Sequence, residues 1–200
     1  MWAAKQGNND IIKVLVAAGA DVNGKGSPAS GPDGEPTTPL WTAVGYRNKE
    51  SVVLLLDMGA DVNATNDRYF SALRTAAEKG YADIVKILLQ RGAMVDYAGR
   101  SSETPLMYVM SSPDANNEEL EDVAKILINA GADVNAKGRI GNTALHSAAG
   151  NNKIHLVRLL IKSGADVNIQ NNEGQTALST ARKKGYKDIV SILKGAGTVE

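Results

Sequence analysis

The sequence predicts an all-α protein built from a repeated pair of short helices, with a hairpin-like finger between successive pairs. A Gly-Ala-Asp-Val-Asn string or a close variant recurs five times, and the glycines of successive copies lie 40, 33, 39 and 33 residues apart. Only nine of the 200 residues are aromatic and 20 are glycine. This composition favours many small packing units over one large core, so we predict a solenoid.

A second motif marks the start of the first helix in each repeat. Its copies begin at Thr38, Ser71, Thr104, Thr143 and Thr176. A Thr or Ser at this point can cap the helix, and the Pro that follows two of them suits the first helical position. The Ala-rich run that comes next allows close helix packing.

The second helix is predicted from apolar residues at helical spacing, as in the segment 84–89. It ends at the glycine of the pentapeptide, where a left-handed cap is expected. One such unit cannot bury its apolar faces alone, which is why several must stack.

Together, the period near 33 residues, the Thr-Pro-Leu-His-like motif and the Gly-Ala-Asp-Val-Asn motif resemble the ankyrin-repeat family. The resemblance covers essentially the whole chain and implies one partial and five complete repeats in a single domain, 1–200. The expected repeats are 1–29 (partial), 30–66, 67–99, 100–138, 139–171 and 172–200. The first begins inside its own first helix, as a half-repeat cap or as a cut from a longer array. In the last repeat Lys194 replaces the Leu or Ile of the other repeats, which is consistent with the polar outer face of a terminal repeat.

Two insertions interrupt the period. The first, Gly24–Thr37, is dense in Gly and Pro and predicts an exposed flexible loop. The second adds six residues near Ser111–Glu119, and its acidic end is expected at a helix start, where the helix dipole favours carboxylates. An acidic contact site is the alternative interpretation of the second insertion.

Composition argues against several classes of function. There are 22 basic and 22 acidic residues and no cysteine, so a nucleic-acid partner, an anionic membrane surface and any thiolate chemistry are not expected. The longest apolar run is far shorter than a membrane span. We therefore expect a cytoplasmic monomer that binds neither nucleic acid nor membrane.

No residue pattern predicts catalysis, a cofactor or a metal site. The segment Gly19–Gly26 nearly matches a phosphate loop, but Gly26 replaces the required Ser or Thr. His146 falls where the family's motif places a structural histidine, and neither it nor His155 has a second histidine at i+3 or i+4. Nothing resembles a nucleophile elbow. We predict that the chain is not an enzyme.

In the ankyrin family, partners usually lie along the concave side, formed by the finger tips and the inner face of the first helices. The resemblance therefore implies a non-catalytic protein–protein interaction module with a protein partner on that face. Offsets from the start of each first helix give the candidate contact residues. They are Trp41, Tyr46, Met58, Arg68, Tyr69, Phe70, Arg74, Glu78, Arg91, Arg100, Glu103, Met107, Tyr108, Arg139 and Ile140.

The middle repeats depart most from the family pattern, and seven of the nine aromatic residues lie between residues 41 and 108. The finger position two residues before the helix start is glycine at 141 and 174 but becomes Pro36, Tyr69 and Ser102. A tyrosine there is costly if φ is positive. The motif histidine likewise becomes Trp41, Arg74 and Met107. The alternative is drift with ordinary packing, in which Trp41 fills space between repeats.

Two other functions stay open at this point. One is a regulatory or structural subunit, or a domain of a larger protein, that modulates an enzyme. The other is a hydrolase with the 24–37 loop as a lid. The family resemblance also raises hydroxylation of the finger asparagines Asn23, Asn63 and Asn135.

Overall fold

A computed structural model describes residues 1–26, 36–113 and 117–197, and this part of the chain contains twelve α-helices in six pairs. Their bounds are α1 Trp2–Gln6, α2 Asn9–Ala17, α3 Pro39–Gly45, α4 Lys49–Asp57, α5 Ala72–Glu78, α6 Ala82–Gln90, α7 Pro105–Ser111, α8 Asn117–Asn129, α9 Ala144–Gly150, α10 Ile154–Lys162, α11 Ala177–Lys184 and α12 Lys187–Gly195. The described residues form no strand, only an isolated bridge between Thr65 and Ser71. The predicted all-α fold is confirmed.

The chain divides into two compact units. The first comprises Met1–Ala76 and Tyr81–Met94, and the second Ala77–Gly80 and Val95–Glu200. In the first unit α1 packs on α2 and α3, and α4 packs on α2, α3 and α6. In the second unit the first helices α7, α9 and α11 pack in succession, and so do the second helices α8, α10 and α12. Each unit is therefore a stack of helix pairs.

The predicted caps form at most first helices. In each cap a hydroxyl oxygen accepts from the backbone amide three residues later. Thr38 Oγ1 accepts from the Trp41 amide at 3.3 Å and Ser71 Oγ accepts from the Arg74 amide at 3.1 Å. Thr176 Oγ1 accepts from the Ser179 amide at 3.2 Å. Thr104 is the exception, because its buried hydroxyl has no partner among the described residues. There Pro105, at the first helical position, helps to start α7.

The second helices end as the pentapeptide predicts. The six glycines that follow them, from Gly19 to Gly197, have φ between 86° and 92°. This left-handed conformation suits glycine because a Cβ would strain it.

Four of the second helices bury the two residues that lie eight and four positions before that glycine. The pairs are Ser51 and Leu55 in α4, Ile84 and Leu88 in α6, Leu156 and Leu160 in α10, and Ile189 and Leu193 in α12. Except for Ser51, whose hydroxyl bonds the Asn9 side chain at 2.6 Å, all are aliphatic. Each of these four helices packs on the second helix of the preceding pair, so this packing covers the positions.

Finger asparagines connect successive repeats by two hydrogen bonds each. Asn63 donates from Nδ2 to the Gly92 carbonyl at 3.2 Å and accepts at Oδ1 from the Met94 amide at 2.9 Å. Asn23 and Asn135 make the same pair of bonds to the repeats that follow them. An amide suits this position because it carries both a donor and an acceptor.

The two insertions differ in how much of them the structure describes. The Gly26 amide donates to the Thr37 carbonyl at 3.0 Å, which holds together the ends of the first insertion. The flexible loop predicted between them falls on residues 27–35, outside the described part. In the second insertion, residues 114–116 are also outside it. The rest lengthens α8 to 13 residues, against nine in α10, with Glu118 and Glu119 in its first turn as predicted.

Asp96 takes the place of the finger asparagine in one repeat. Its Oδ2 accepts from the Asp133 amide at 3.0 Å, whereas its buried Oδ1 has no hydrogen-bond partner among the described residues. Asp96→Asn should raise the free energy of unfolding by about 1 kcal/mol, because the new amide can donate to the Gly131 carbonyl. Urea denaturation measures the change.

The reverse substitution, Asn135→Asp, is the matched control and should lower stability by a similar amount. If Asp96→Asn left the urea midpoint unchanged or lowered it, the asparagine bridge would not have the assigned energetic role.

His146 completes the start of α9 as a buried cap. Its Nδ1 accepts from the Thr143 amide at 3.2 Å, and its Nε2 donates to the Gln175 carbonyl at 2.9 Å. Burial, chiefly, and then Lys137 lower the pKa of the imidazole below its usual 6.5, while the Gln175 bond acts in the opposite direction.

Because the folded pKa of His146 is lowered, the unfolded state binds a proton first as the pH falls. The stabilising contribution of neutral His146 is therefore fully present above pH 6.5. It should be lost as the pH falls from 6.5 through the folded pKa, so the free energy of unfolding decreases over that range. His146→Gln should remove this part of the slope in denaturation curves, whereas His155→Gln, at the exposed second histidine, should keep it. Equal slopes in the two variants would contradict this role.

Candidate functional site

The finger that precedes α5 is a tight turn organised by Asn66. The buried Asn66 side chain accepts at Oδ1 from the backbone amides of Arg68 at 3.0 Å and Phe70 at 2.9 Å. The backbone amide of Asn66 donates to the Phe70 carbonyl at 3.1 Å, and the backbone carbonyl of Asn66 accepts from the Tyr69 amide at 2.9 Å. These four bonds fix the backbone and leave Asp67, Arg68 and Tyr69 exposed at the tip.

Tyr69 has a φ of 64°, so the predicted cost of a tyrosine at this position is present. Ser102, at the same place in the next finger, has a φ of 56°, and the glycines at 141 and 174 have φ of 77° and 71°. At Gly141 a Cβ would also lie 2.5 Å from Asn172 Oδ1, so that finger has no room for a side chain. The finger of Tyr69 carries an exposed phenol ring there instead.

Phe70 and Arg74 join the finger to the first helix. The Arg74 guanidinium lies 3.8 Å from the centroid of the Phe70 ring, a cation–π geometry that orders both side chains. On the other side of the tip, Lys25 Nζ is 2.7 Å from Asp67 Oδ1. We call the set Asp67, Arg68, Tyr69, Phe70 and Arg74 the finger cluster.

Two candidates are wrong as contact residues because the structure buries them. Trp41 is 1% exposed and Met107 is 4% exposed, so neither can reach a partner without unfolding its surroundings. Both stand where the motif has histidine, and both fill space inside their unit. The Trp41 indole N–H has no acceptor among the described residues. The surrounding residues therefore make room for the indole ring but do not provide a hydrogen-bond partner for its N–H.

Three further candidates of the first unit lie away from the finger cluster, at helix ends. Tyr46 caps α3, and the ammonium of Lys5 lies 5.0 Å from its ring centroid. Met58 follows α4 and is half-buried. Arg91 follows α6 and pairs with Asp57 at 2.8 Å. All three residues therefore stand at the C-terminal ends of helices α3, α4 and α6.

The second unit presents its candidates on two fingers. Arg100 is exposed in a short 3₁₀ turn, and the Tyr108 hydroxyl donates to Ser101 Oγ at 3.2 Å beside it. Glu103 is half-buried, and a Cβ built on Gly138 would meet its side chain at 3.3 Å, so it packs near the next finger.

The tip of that next finger, Arg139 and Ile140, is exposed, and Ile140 accepts from the Asn172 amide at 3.0 Å through its carbonyl. Glu78, which belongs to the second unit, is half-buried.

Two ordered contacts of the first unit were not predicted from the sequence. Arg47 has a φ of 57° and places its guanidinium 4.8 Å from the Tyr81 ring centroid. Its position is the turn that carries glycine at 7, 80 and 185, so aligning these turns would have indicated it. The Lys25 contact to Asp67 had no such signal, because Lys25 lies in the first insertion.

No group of three or more His, Asp or Glu residues in the described ranges is arranged to hold a metal ion. Within those ranges, no helix is both long and apolar enough to cross a membrane.

Family comparison agrees with this geometry. The family model described as "Ankyrin repeats (3 copies)" matches residues 1–99, 58–138 and 106–199. The chain belongs to the ankyrin-repeat family. Ankyrin repeats are generally non-catalytic modules of protein–protein interaction.

Known relatives share the repeat over part of their length. An ankyrin repeat protein of Acanthamoeba polyphaga mimivirus is 32% identical over 120 residues, which cover 54% of this chain and 73% of that protein. The B-cell lymphoma 3 protein homologue of Mus musculus is 32% identical over 154 residues, 74% of this chain and 32% of that protein. An ankyrin repeat domain-containing protein of Aspergillus oryzae is 40% identical over 86 residues, 43% of this chain and 12% of that protein.

The strain at Tyr69 gives a direct test of the site. Tyr69→Gly should raise the free energy of unfolding by about 1 kcal/mol, because glycine adopts positive φ without a Cβ penalty. Thermal or urea denaturation measures this change. The same substitution should weaken partner binding, since it removes the exposed ring.

Ser102→Gly is the matched control, because it relieves the same backbone strain in another finger and should also stabilise. If Tyr69→Gly were destabilising, the ring would be contributing to the fold, and Tyr69 would be a structural residue.

Proposed function

We propose that the chain is a non-catalytic protein-binding module whose partner contacts the finger cluster, on the concave side that the family resemblance implies. The observation that carries this proposal is the Tyr69, Phe70 and Arg74 arrangement. An exposed tyrosine on a strained turn stands next to a stacked phenylalanine and arginine.

Pre-organisation supports this assignment. The Asn66 hydrogen bonds hold the finger backbone, and the stacking of Arg74 on Phe70 restricts both side chains before any partner arrives. Less conformational entropy is therefore lost on binding. Tyrosine and arginine are also the side chains in which interface hot spots are enriched.

Backbone strain supports it as well. Strained non-glycine residues cluster at sites where a side chain has a functional role, since the fold gains nothing from the strain itself. Tyr69 is such a residue, and its ring is directed out of the finger to an exposed position.

The chemistry of the cluster defines its preferred partner. Arg68 and Arg74 supply positive charge, while Tyr69 and Phe70 supply aromatic surface beside it. The carboxylate of Asp67 is balanced by Lys25. We therefore propose a protein segment that presents a carboxylate next to an apolar side chain, which an arginine can bind through paired hydrogen bonds.

The fingers of the second unit offer a separate contact region. Arg139 and Ile140 are exposed at one tip, and Arg100 is exposed on the preceding finger. Like the finger cluster, this region combines a guanidinium with apolar surface, and we propose that it contributes to partner binding.

The direct test replaces Arg68, Phe70 and Arg74 by alanine together. We expect the triple variant to lose at least about 2 kcal/mol of binding energy, because hot-spot residues typically contribute this much. Quantitative mass spectrometry of proteins captured by the wild-type and variant chains identifies the partner, and titration calorimetry with that partner then measures the dissociation constant.

The matched control replaces Lys86, Arg158 and Lys162, three exposed cationic residues on second helices, by alanine and should leave binding unchanged. Circular dichroism must show equal helicity in both variants. Equal affinity of the triple variant and the wild-type chain would refute the placement of the site.

A further inference from the structure

One finger asparagine differs from the others in the residue that follows it. Asn23 is the one asparagine of the sequence that a glycine follows, at Gly24, whereas the finger asparagines Asn63 and Asn135 are each followed by alanine. Because glycine has no Cβ, its backbone nitrogen meets little steric hindrance when it approaches the side chain before it. Among the finger asparagines, Asn23 is therefore the most open to attack by its own backbone.

The fold does not require glycine at position 24. Gly24 does not adopt a positive φ, unlike the glycines that follow the second helices. Its amide donates to the Asp21 carbonyl at 3.1 Å. Ala64 and Ala136, at the same place in other fingers, make the same bond at 3.1 Å and 3.2 Å to the aspartate three residues before them. Alanine thus fits this turn, and the local backbone gives no reason for glycine.

The Asn23–Gly24 pair has the chemistry of deamidation. The backbone nitrogen of Gly24 attacks Cγ of Asn23 and loses its proton as the new N–Cγ bond forms. The bond between Cγ and Nδ2 breaks, and the departing nitrogen leaves as ammonia. Water then opens the resulting succinimide ring at either carbonyl, which gives an aspartate or an isoaspartate. Water is the only co-reactant that these steps need.

Hydrogen bonds of the finger hold both reacting groups. Asn23 donates from Nδ2 to the Gly59 carbonyl at 3.3 Å and accepts at Oδ1 from the Asp61 amide at 2.8 Å. The Gly24 amide is held by its bond to the Asp21 carbonyl. The attack requires all these bonds to break, so the reaction proceeds only from a locally opened finger.

We propose that Asn23 is a site of spontaneous deamidation whose rate is set by the opening of this finger. The product is a carboxylate, which accepts hydrogen bonds but does not donate them, so the bond to the Gly59 carbonyl is lost. Asp96 shows this arrangement in another finger. One of its carboxylate oxygens accepts from the Asp133 amide, and the other is buried without a partner among the described residues. Deamidation therefore weakens the contact between the first repeat and the second.

The reaction also changes the surroundings of the finger cluster. Lys25, two residues after Asn23, pairs with Asp67 at 2.7 Å. Both products add a negative charge close to this lysine, and the isoaspartate also lengthens the main chain before it by a methylene group. Deamidation therefore acts beside the lysine that balances the charge of Asp67.

Peptide mass spectrometry of the full chain, incubated in native buffer and in guanidinium chloride at mildly alkaline pH, tests the proposal. In denaturant, Asn23 should convert at least about tenfold faster than Asn63 and Asn135, because only its neighbour lacks a Cβ. Gly24→Ala should remove this difference. The native chain should also convert Asn23, but about tenfold or more slowly than the unfolded chain, since the finger must open first. Equal rates at the three asparagines in denaturant would overturn the proposal.

Asp21→Ala tests the role of the finger's hydrogen bonds. The Asp21 carboxylate accepts from the Asn23 amide at 2.8 Å, so its loss should let the finger open more often and raise the native rate about fivefold or more. Asp133→Ala removes the same bond from the finger of Asn135. It is the matched control and should leave the Asn23 rate unchanged. An unchanged native rate in Asp21→Ala would overturn the proposal, as would equal rates in the native and unfolded wild-type chains or no conversion in the native chain.

Discussion

Within each unit, none of the described helix pairs buries its apolar residues by itself, and the fold depends on stacking one pair on the next. The core is made of thin layers in which Ala, Val and Leu from neighbouring pairs meet. Aromatic residues are scarce because short helices at close spacing have little room for them.

Polar groups set the register of this stack. The finger asparagines each join two backbone groups of the following repeat, and His146 joins the start of α9 to the finger that precedes α11. Since apolar packing alone allows sliding, these directional bonds select one register. Where a repeat loses such a group, as at Asp96 and Trp41, a buried polar atom has no partner among the described residues. The fold therefore tolerates the loss of a polar contact in one repeat, as at Asp96 and Trp41, as long as the helix pairs still stack.

The sequence predicted most of the fold and part of the site. Helix order, the Thr and Ser caps and the left-handed glycines follow from local chemistry and were predictable. The positive φ of Tyr69 was also indicated, because aligned fingers carry glycine there. Burial was not predictable in the same way. Trp41, Arg74 and Met107 each lie three residues after the Thr or Ser that starts the first helix, so the motif alone treats them alike. Packing decides that Trp41 and Met107 are buried, whereas Arg74 stacks on Phe70.

We propose that the strained finger before α5 is the contact surface for a protein partner. Hydrogen–deuterium exchange of the chain, alone and saturated with its captured partner, tests it most directly. Partner binding should slow exchange in the segment 66–74 and leave exchange in the second helix at 154–162 unchanged. Protection of 154–162 without protection of 66–74 would contradict it and would place the partner on the second helices instead.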